Sequence, residues 1–294
     1  MDFGRVITAM VTPFKQDGTV NFDEAVRIAN YLADNGSDSL VLAGSTGECP
    51  TLTNEEERTL FREVKNGLGS KAKVIAGTGS NSTATAVEYT RKAEKLGVDG
   101  ALMVVPYYNK PSQEGLYQHF KAVNDAVDLP LMIYNIPART ACNMEAETTL
   151  RLAELPNYFS VKEASGNLVQ IKKIIDSAPK GFLVYSGDDN FTLDVLKAGG
   201  YGIVSVAAHL VGPQIRQLVE AFLSGEIAKA EKINSELEEI FKIIFITTNP
   251  APIKAALNMQ GFKCGTPRLP LLELTAQEKE KLKAALLKHK LLLK

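Results

Sequence analysis

The sequence predicts a (β/α)8 barrel of the TIM type with a C-terminal helical extension, and three observations carry that expectation. Short apolar runs recur between residues 6 and 210, amphipathic segments separate them, and the runs are apolar on both faces. Strands without a wet face belong to parallel sheets covered by helices. Eight strand–helix units in about 220 residues fit a closed barrel better than a doubly wound sheet. The expected division is a catalytic barrel over residues 1–225 and an extension over residues 226–294.

The runs cover residues 6–14, 39–44, 73–79, 100–106, 130–137, 158–165, 182–189 and 202–210, with starts 20 to 34 residues apart. Ahead of the first helix, Asn21-Phe22-Asp23-Glu24 has the layout of a capping box. Ala25, Ile28, Ala29 and Leu32 then share one face, and Gly36 ends the helix. Thr53-Asn54-Glu55-Glu56 repeats the signature before Leu60, Val64 and Leu68. Ala86, Ala93 and Leu96 line the next helix, which ends at Gly97. After Gly225 the strand signal stops. Residues 227–245, 252–260 and 276–287 read as three further helices, with Pro250 and Pro252 breaking the chain before the second. Leu286, Leu287, Leu291, Leu292 and Leu293 form an apolar tail suited to a dimer contact, a packing interface or a lid over the barrel.

Composition excludes several functions. Hydrophobic residues at 45% and charged residues at 23% are those of a soluble domain with a good core. A net charge of -1 leaves no basic stripe for nucleic acid and no polybasic arm for membranes. No 18-residue apolar run exists, and Met1-Asp2-Phe3-Gly4-Arg5 has no signal-peptide layout. Cys49, Cys142 and Cys264 are odd in number, far apart and in no CxxC pair, which points to reduced thiols and a cytoplasmic protein. His119, His209 and His289 are scattered, so no metal and no cofactor is expected.

A barrel of this kind carries its chemistry where strands end and loops begin. In the run Phe159-Ser160-Val161-Lys162-Glu163-Ala164-Ser165, alternation sets Ser160, Lys162 and Ala164 on one face. If that face looks inward, desolvation lowers the Lys162 pKa and frees an amine able to attack a carbonyl. On this stretch alone, a lysine at a solvated strand edge is the plainer reading. Other rim residues favour the reactive one. Gly44-Ser45-Thr46-Gly47-Glu48 supplies hydroxyls and exposed N–H groups suited to an anion, although an ordinary Gly-rich turn fits equally well. Tyr107 and Tyr108 follow the fourth run, and Tyr134 and Arg139 close the fifth. Tyrosines there are often packing residues. A lysine, several hydroxyls and an arginine at one rim nevertheless make a proton relay and a carboxylate clamp.

Gly44-Ser45-Thr46-Gly47-Glu48, Pro106-Tyr107-Tyr108-Asn109-Lys110-Pro111, Tyr134-Asn135-Ile136-Pro137-Ala138-Arg139-Thr140 and Val161-Lys162-Glu163-Ala164 together resemble the N-acetylneuraminate lyase superfamily of pyruvate-dependent class I aldolases. Within it they resemble the dihydrodipicolinate synthase family, from Val6 to Leu271, with Ser186-Gly187-Asp188-Asp189 and Asn249-Pro250 included. The resemblance implies that Lys162 forms an imine with pyruvate and that Tyr134 moves protons above it. It implies that Thr46 links Tyr134 to Tyr108 and that Ser45 with Thr46 holds the pyruvate carboxylate. Arg139 would take the carboxylate of aspartate semialdehyde, with Gly187 and Val204 lining the site. Tyr107 would reach a neighbouring subunit in a tight dimer, and two dimers would form a homotetramer. Ser45 departs from the threonine usual in this family and matches the sialic-acid and keto-sugar lyases, whereas Arg139 favours a substrate with a carboxylate.

The implied reaction condenses pyruvate with L-aspartate 4-semialdehyde in diaminopimelate and lysine biosynthesis. The rivals are a sister aldolase acting on N-acetylneuraminate or a 2-keto-3-deoxy sugar acid, and a non-catalytic barrel that only binds a keto acid. A binding barrel would need no relay of Lys162, Tyr108 and Tyr134. The resemblance also implies a regulatory cleft at Tyr107, Asn81, Asn54 and Thr85. Lysine-inhibited members carry a histidine and a glutamate at the positions of Asn54 and Thr85, so weak inhibition by lysine is expected here. Glu57, one helical turn from Asn54, could supply a substitute carboxylate.

Overall fold

Eight parallel strands hydrogen-bond side by side, and the first closes on the last. The computed structural model describes residues 2–292. The strands are β1 (Val6–Ala9), β2 (Ser39–Leu42), β3 (Lys73–Gly77), β4 (Gly100–Val104), β5 (Leu131–Asn135), β6 (Tyr158–Glu163), β7 (Leu183–Ser186) and β8 (Gly202–Ser205). Each stops short of the end of its apolar run. The remaining residues of each run leave the sheet and build the C-terminal rim, where the polar motifs lie.

Helices follow the strands around the outside: α1 (Phe22–Asp34), α2 (Asn54–Leu68), α3 (Thr83–Lys95), α4 (Gln113–Asn124), the single turn α5 (Pro137–Thr140), α6 (Ala146–Ala153), α7 (Leu168–Ser177), α8 (Thr192–Lys197) and α9 (Ala208–Leu223). Three more come after them: α10 (Ile227–Ile243), α11 (Ala251–Met259) and α12 (Ala276–Lys288). Thr53 forms the expected reciprocal box with Glu56 at the start of α2, a feature typically worth about 1 kcal/mol. The box expected at Asn21 is only half made. Asn21 caps the Glu24 N–H, but the Glu24 carboxylate instead accepts from the Lys263 N–H at 2.7 Å and from Arg27 at 2.9 Å. A tertiary partner has drawn the carboxylate away from its own helix end.

Alternation sorts the strand residues into two cores. Ile7, Val41, Ile75, Leu102, Met132, Tyr134, Tyr185 and Val204 fill the barrel, while Leu40, Val74, Ile133, Val161 and Val184 face the helices. The floor of the barrel is shut. Phe3 enters from the N-terminal end and stacks on Phe159 with ring centroids 4.5 Å apart. Gly100 makes room for it, because a Cβ there would stand 2.9 Å from the Phe3 ring. The Tyr185 hydroxyl donates to Gly4 O at 2.8 Å and the Ser39 hydroxyl to Phe3 O at 2.5 Å. Burying a phenylalanine contributes roughly 1.5–3 kcal/mol, so the plug also holds the barrel closed.

At the C-terminal end, Leu286 is buried, Leu291 and Leu292 pack against the outer core, and Gln260 of the α11 terminus donates to Leu291 O at 3.0 Å. Leu286, Leu291 and Leu292 of the apolar tail thus pack within the chain, while Leu287 is exposed. Leu293 lies outside the described residues.

Candidate active site

Register places the reactive groups on one level. Tyr134 of β5 pairs with Lys162 of β6, which pairs with Tyr185 of β7, and all three point into the barrel. Lys162 is only 5% exposed, and its Nζ lies 4.3 Å from the centre of the Tyr134 ring. Burial lowers the Lys162 pKa to about 8; Asp189 and Asp188 oppose that shift and Arg139 adds to it. The ring face favours an ammonium, yet loss of solvent is the larger effect. Burial raises the Tyr134 hydroxyl to about 12, against the pull of Arg139 and a hydrogen bond with Ser45. Near neutrality the site thus holds a protonated phenol beside a lysine that readily gives up its proton.

Gly187 lies against the lysine stem. A Cβ there would sit 3.1 Å from Lys162 Cγ and 2.7 Å from Ala164 Cβ. Next to it, Asp189 is fully buried and accepts from Ser205 Oγ at 2.5 Å, Val206 N at 3.1 Å and Ala207 N at 3.0 Å. This carboxylate ties the β7 and β8 rims together and, of the two aspartates that oppose the Lys162 shift, has the larger effect. Outside the barrel, Glu163 accepts from Asn135 Nδ2 at 3.1 Å, Ser165 N at 2.7 Å and Gln170 Nε2 at 3.2 Å. That network locks the strand ends carrying Tyr134 and Lys162 to each other.

The glycine turn after β2 lies across the mouth. Ser45 faces Tyr134, whereas the Thr46 hydroxyl accepts from Asn249 Nδ2 at 2.9 Å. Tyr108, with φ at 74°, turns its ring outward and is 88% exposed. The hydroxyl chain expected through Thr46 to Tyr108 is therefore not assembled within one chain, because Thr46 is bonded elsewhere and Tyr108 stands in solvent. Arg139 sits in α5 at the mouth, donates to Asn249 O at 3.3 Å, and forms no ion pair among the described residues. Val204 is buried in the inner core beside Ile7. Ala43, Glu48, Tyr108, Lys110 and Ala141 all hold positive φ on the rim loops. Strain of that kind persists where the surroundings over-determine the backbone, as functional sites do.

A cavity of about 530 Å³ runs from Ser45, Arg139 and Asn249 to Glu57, Thr85 and Tyr107. Asn54 lines a small neighbouring recess with Glu57, and Asn81 contributes its carbonyl to Asn109 Nδ2 at 2.9 Å. Sequence reasoning assigned no role to Asn249, Asp189 or the pair Glu48–Lys254. Glu48 and Lys254 are each 1% exposed and bond at 2.8 Å, with Arg268 N donating to Glu48 at 2.9 Å. Breaking such a pair from one side costs about 3–5 kcal/mol. The legible signal was polarity where an apolar residue was due: an acid closing the apolar run 182–189, and a lysine on the apolar face of α11.

A desolvated lysine at the C-terminal rim, a phenol on its level and a hydroxyl-bearing turn above them are the equipment that a lyase of the class I aldolase type would need to form an imine. Comparison then narrows the class: the dihydrodipicolinate synthetase family model matches residues 2–289, and the chain belongs to that family. A 4-hydroxy-tetrahydrodipicolinate synthase of Moorella thermoacetica is 57% identical over 286 residues, covering 97% of this chain and 98% of the relative. The crystal structure of the enzyme from Cyanidioschyzon merolae with lysine bound has a TM-score of 0.97 at 49% identity, with 99% of each chain covered. A monomeric dihydrodipicolinate synthase variant has a TM-score of 0.96 at 39% identity, covering 99% of this chain and 98% of that one.

Proposed function

We infer that the chain condenses pyruvate with L-aspartate 4-semialdehyde to 4-hydroxy-tetrahydrodipicolinate, on the route to diaminopimelate and lysine. The Lys162 amine adds to the pyruvate carbonyl, and water leaves to give a protonated imine. The imine draws electrons from C3, whose proton is lost to form an enamine. The enamine carbon attacks the aldehyde, and the new alkoxide takes a proton. The product's own amine then attacks the imine carbon, closes the ring and releases Lys162. Tyr134, protonated beside the lysine, carries protons in these steps. The single observation behind the choice of substrate is Arg139, a guanidinium at the mouth with no ion pair among the described residues, which suits a second carboxylate. Assays with pyruvate plus aspartate semialdehyde, with N-acetylneuraminate and with 2-keto-3-deoxygluconate test this. Turnover is expected with the first alone, and preference for a sugar acid refutes it.

Exposed apolar side chains support a dimer of dimers. Tyr107, Tyr108, Leu269 and Leu272 stand open around the rim, and Leu168 and Val169 at the start of α7 form a second patch. In such an assembly Tyr108, out of reach of its own Tyr134, would complete the relay of a neighbouring copy. Sedimentation at assay concentration should give the mass of four chains, and a fully active monomer would refute the assembly. The three free thiols suit a reducing cytoplasm, which fractionation of producing cells checks.

Glu57 supports a stronger response to lysine than Asn54 and Thr85 led us to expect. It lines the cavity with Thr85 and Tyr107, is 8% exposed, and has no hydrogen-bond or ion-pair partner among the described residues. Burial, reinforced by the Glu56 charge, raises its carboxyl to about 8. An arriving ammonium must meet the ionised form, which grows as pH rises toward 8. Lysine should therefore inhibit roughly tenfold more tightly at pH 8 than at pH 6.5, and Glu57→Gln should remove the effect. A flat inhibition curve at pH 8 would count against this reading.

A further inference from the structure

The turn over residues 44–48 leads into only a one-turn helix, Cys49–Thr51, and Glu48 holds a left-handed φ of 57°. A turn of that kind keeps its shape only when its surroundings impose it. Two side chains of the C-terminal extension do so, at the two ends of the turn's polar edge. Asn249 Nδ2 donates to Thr46 Oγ1 at 2.9 Å and Lys254 Nζ to Glu48 Oε1 at 2.8 Å, across 203 and 206 residues of sequence. Lys254 Nζ also donates to Thr266 O at 3.1 Å and rests 4.0 Å over the Phe14 ring, contacts that hold it in addition to Glu48. The Asn249 Oδ1 is buried without a partner, so the bond to Thr46 is this side chain's one anchor among the described residues.

We propose that Asn249, Glu48 and Lys254 are positioning residues: α11 and Asn249, two residues ahead of it, clamp the β2 turn at two points and so set where the pyruvate carboxylate sits. The inference rests on the imine reading above and adds to it the part of the chain that shapes the first substrate's subsite. Because Asn249 O also receives Arg139, the same clamp joins the two carboxylate-binding groups.

The double variant Glu48→Gln/Lys254→Met removes both charges while nearly preserving volume, a change that buried pairs often tolerate. It should melt at or above the wild-type Tm, yet raise the pyruvate KM about tenfold with kcat within about threefold. Asn249→Ala should give the same split. Its effect should vanish in a Thr46→Val background, because it acts through that hydroxyl. Borohydride trapping at saturating pyruvate stays complete in every variant, which keeps failure of the clamp distinct from failure of the imine reading. A folded double variant with wild-type pyruvate KM overturns the clamp. Full additivity of Asn249→Ala with Thr46→Val overturns it as well, and that cycle decides alone if the double variant does not fold.

Discussion

Incubation with pyruvate and borohydride will add a reduced pyruvyl group to Lys162, and Lys162→Ala will take none. The competing lysines differ in their surroundings. Lys254 is held by Glu48 at 2.8 Å in a closed pocket, and Lys110 stands exposed on the rim loop. Lys162 is buried at the C-terminal rim with a lowered pKa and, among the described residues, has no hydrogen-bond or ion-pair partner for its amine. Its amine titrates near 8, so at pH 6 only about one molecule in a hundred carries the neutral nucleophile. The sign follows: the initial rate of trapping climbs about tenfold per pH unit below 8 and levels above it. Mass mapping of the adduct against pH reads both outcomes. An adduct on another lysine, or a rate that keeps climbing to pH 10, would mean that burial does not govern this amine.

Arg139→Ala should lower kcat/KM for aspartate semialdehyde about 10- to 150-fold, since a charge-assisted hydrogen-bonded pair is worth roughly 1.5–3 kcal/mol. Pyruvate trapping should hardly change, because Arg139 lies at the mouth while Lys162 lies on the strand level below. A small opposite effect on the lysine is built in. Arg139 contributes to the depression of the Lys162 pKa, so its loss moves that pKa upward. Comparing both substrates at pH 8.5 removes that contribution. Equal loss with both substrates would make Arg139 a support for Asn249 rather than a receptor for a carboxylate.

The barrel was legible because its cause is local. Runs apolar on both faces can only be buried strands, and their spacing leaves room for one helix each. The strand ends were not, since runs such as residues 6–14 continue as apolar rim after Ala9. Lys162 was legible for a related reason: a lone cation on an alternating strand has one face to occupy. Tyr108 was opaque, because its outward aim comes from a positive φ that a tyrosine does not advertise. The partners of Asn249 and Lys254 were opaque because they lie more than 200 residues away. Glu24 shows the same limit at small scale, where a capping signature lost its carboxylate to the Lys263 N–H.

The shut floor turns the barrel into a blind shaft. With Phe3 wedged against Phe159 and Tyr185 bolted to Gly4, nothing passes through from below. Every molecule must use the opening beside Arg139. If Lys162 forms the imine as proposed, depth becomes a clock: the keto acid destined for Lys162 must descend before the aldehyde lodges above it. The water expelled on imine formation must leave while that doorway is still free. The cyclised product clears the shaft last, so no second pyruvate can reach the lysine until it has gone.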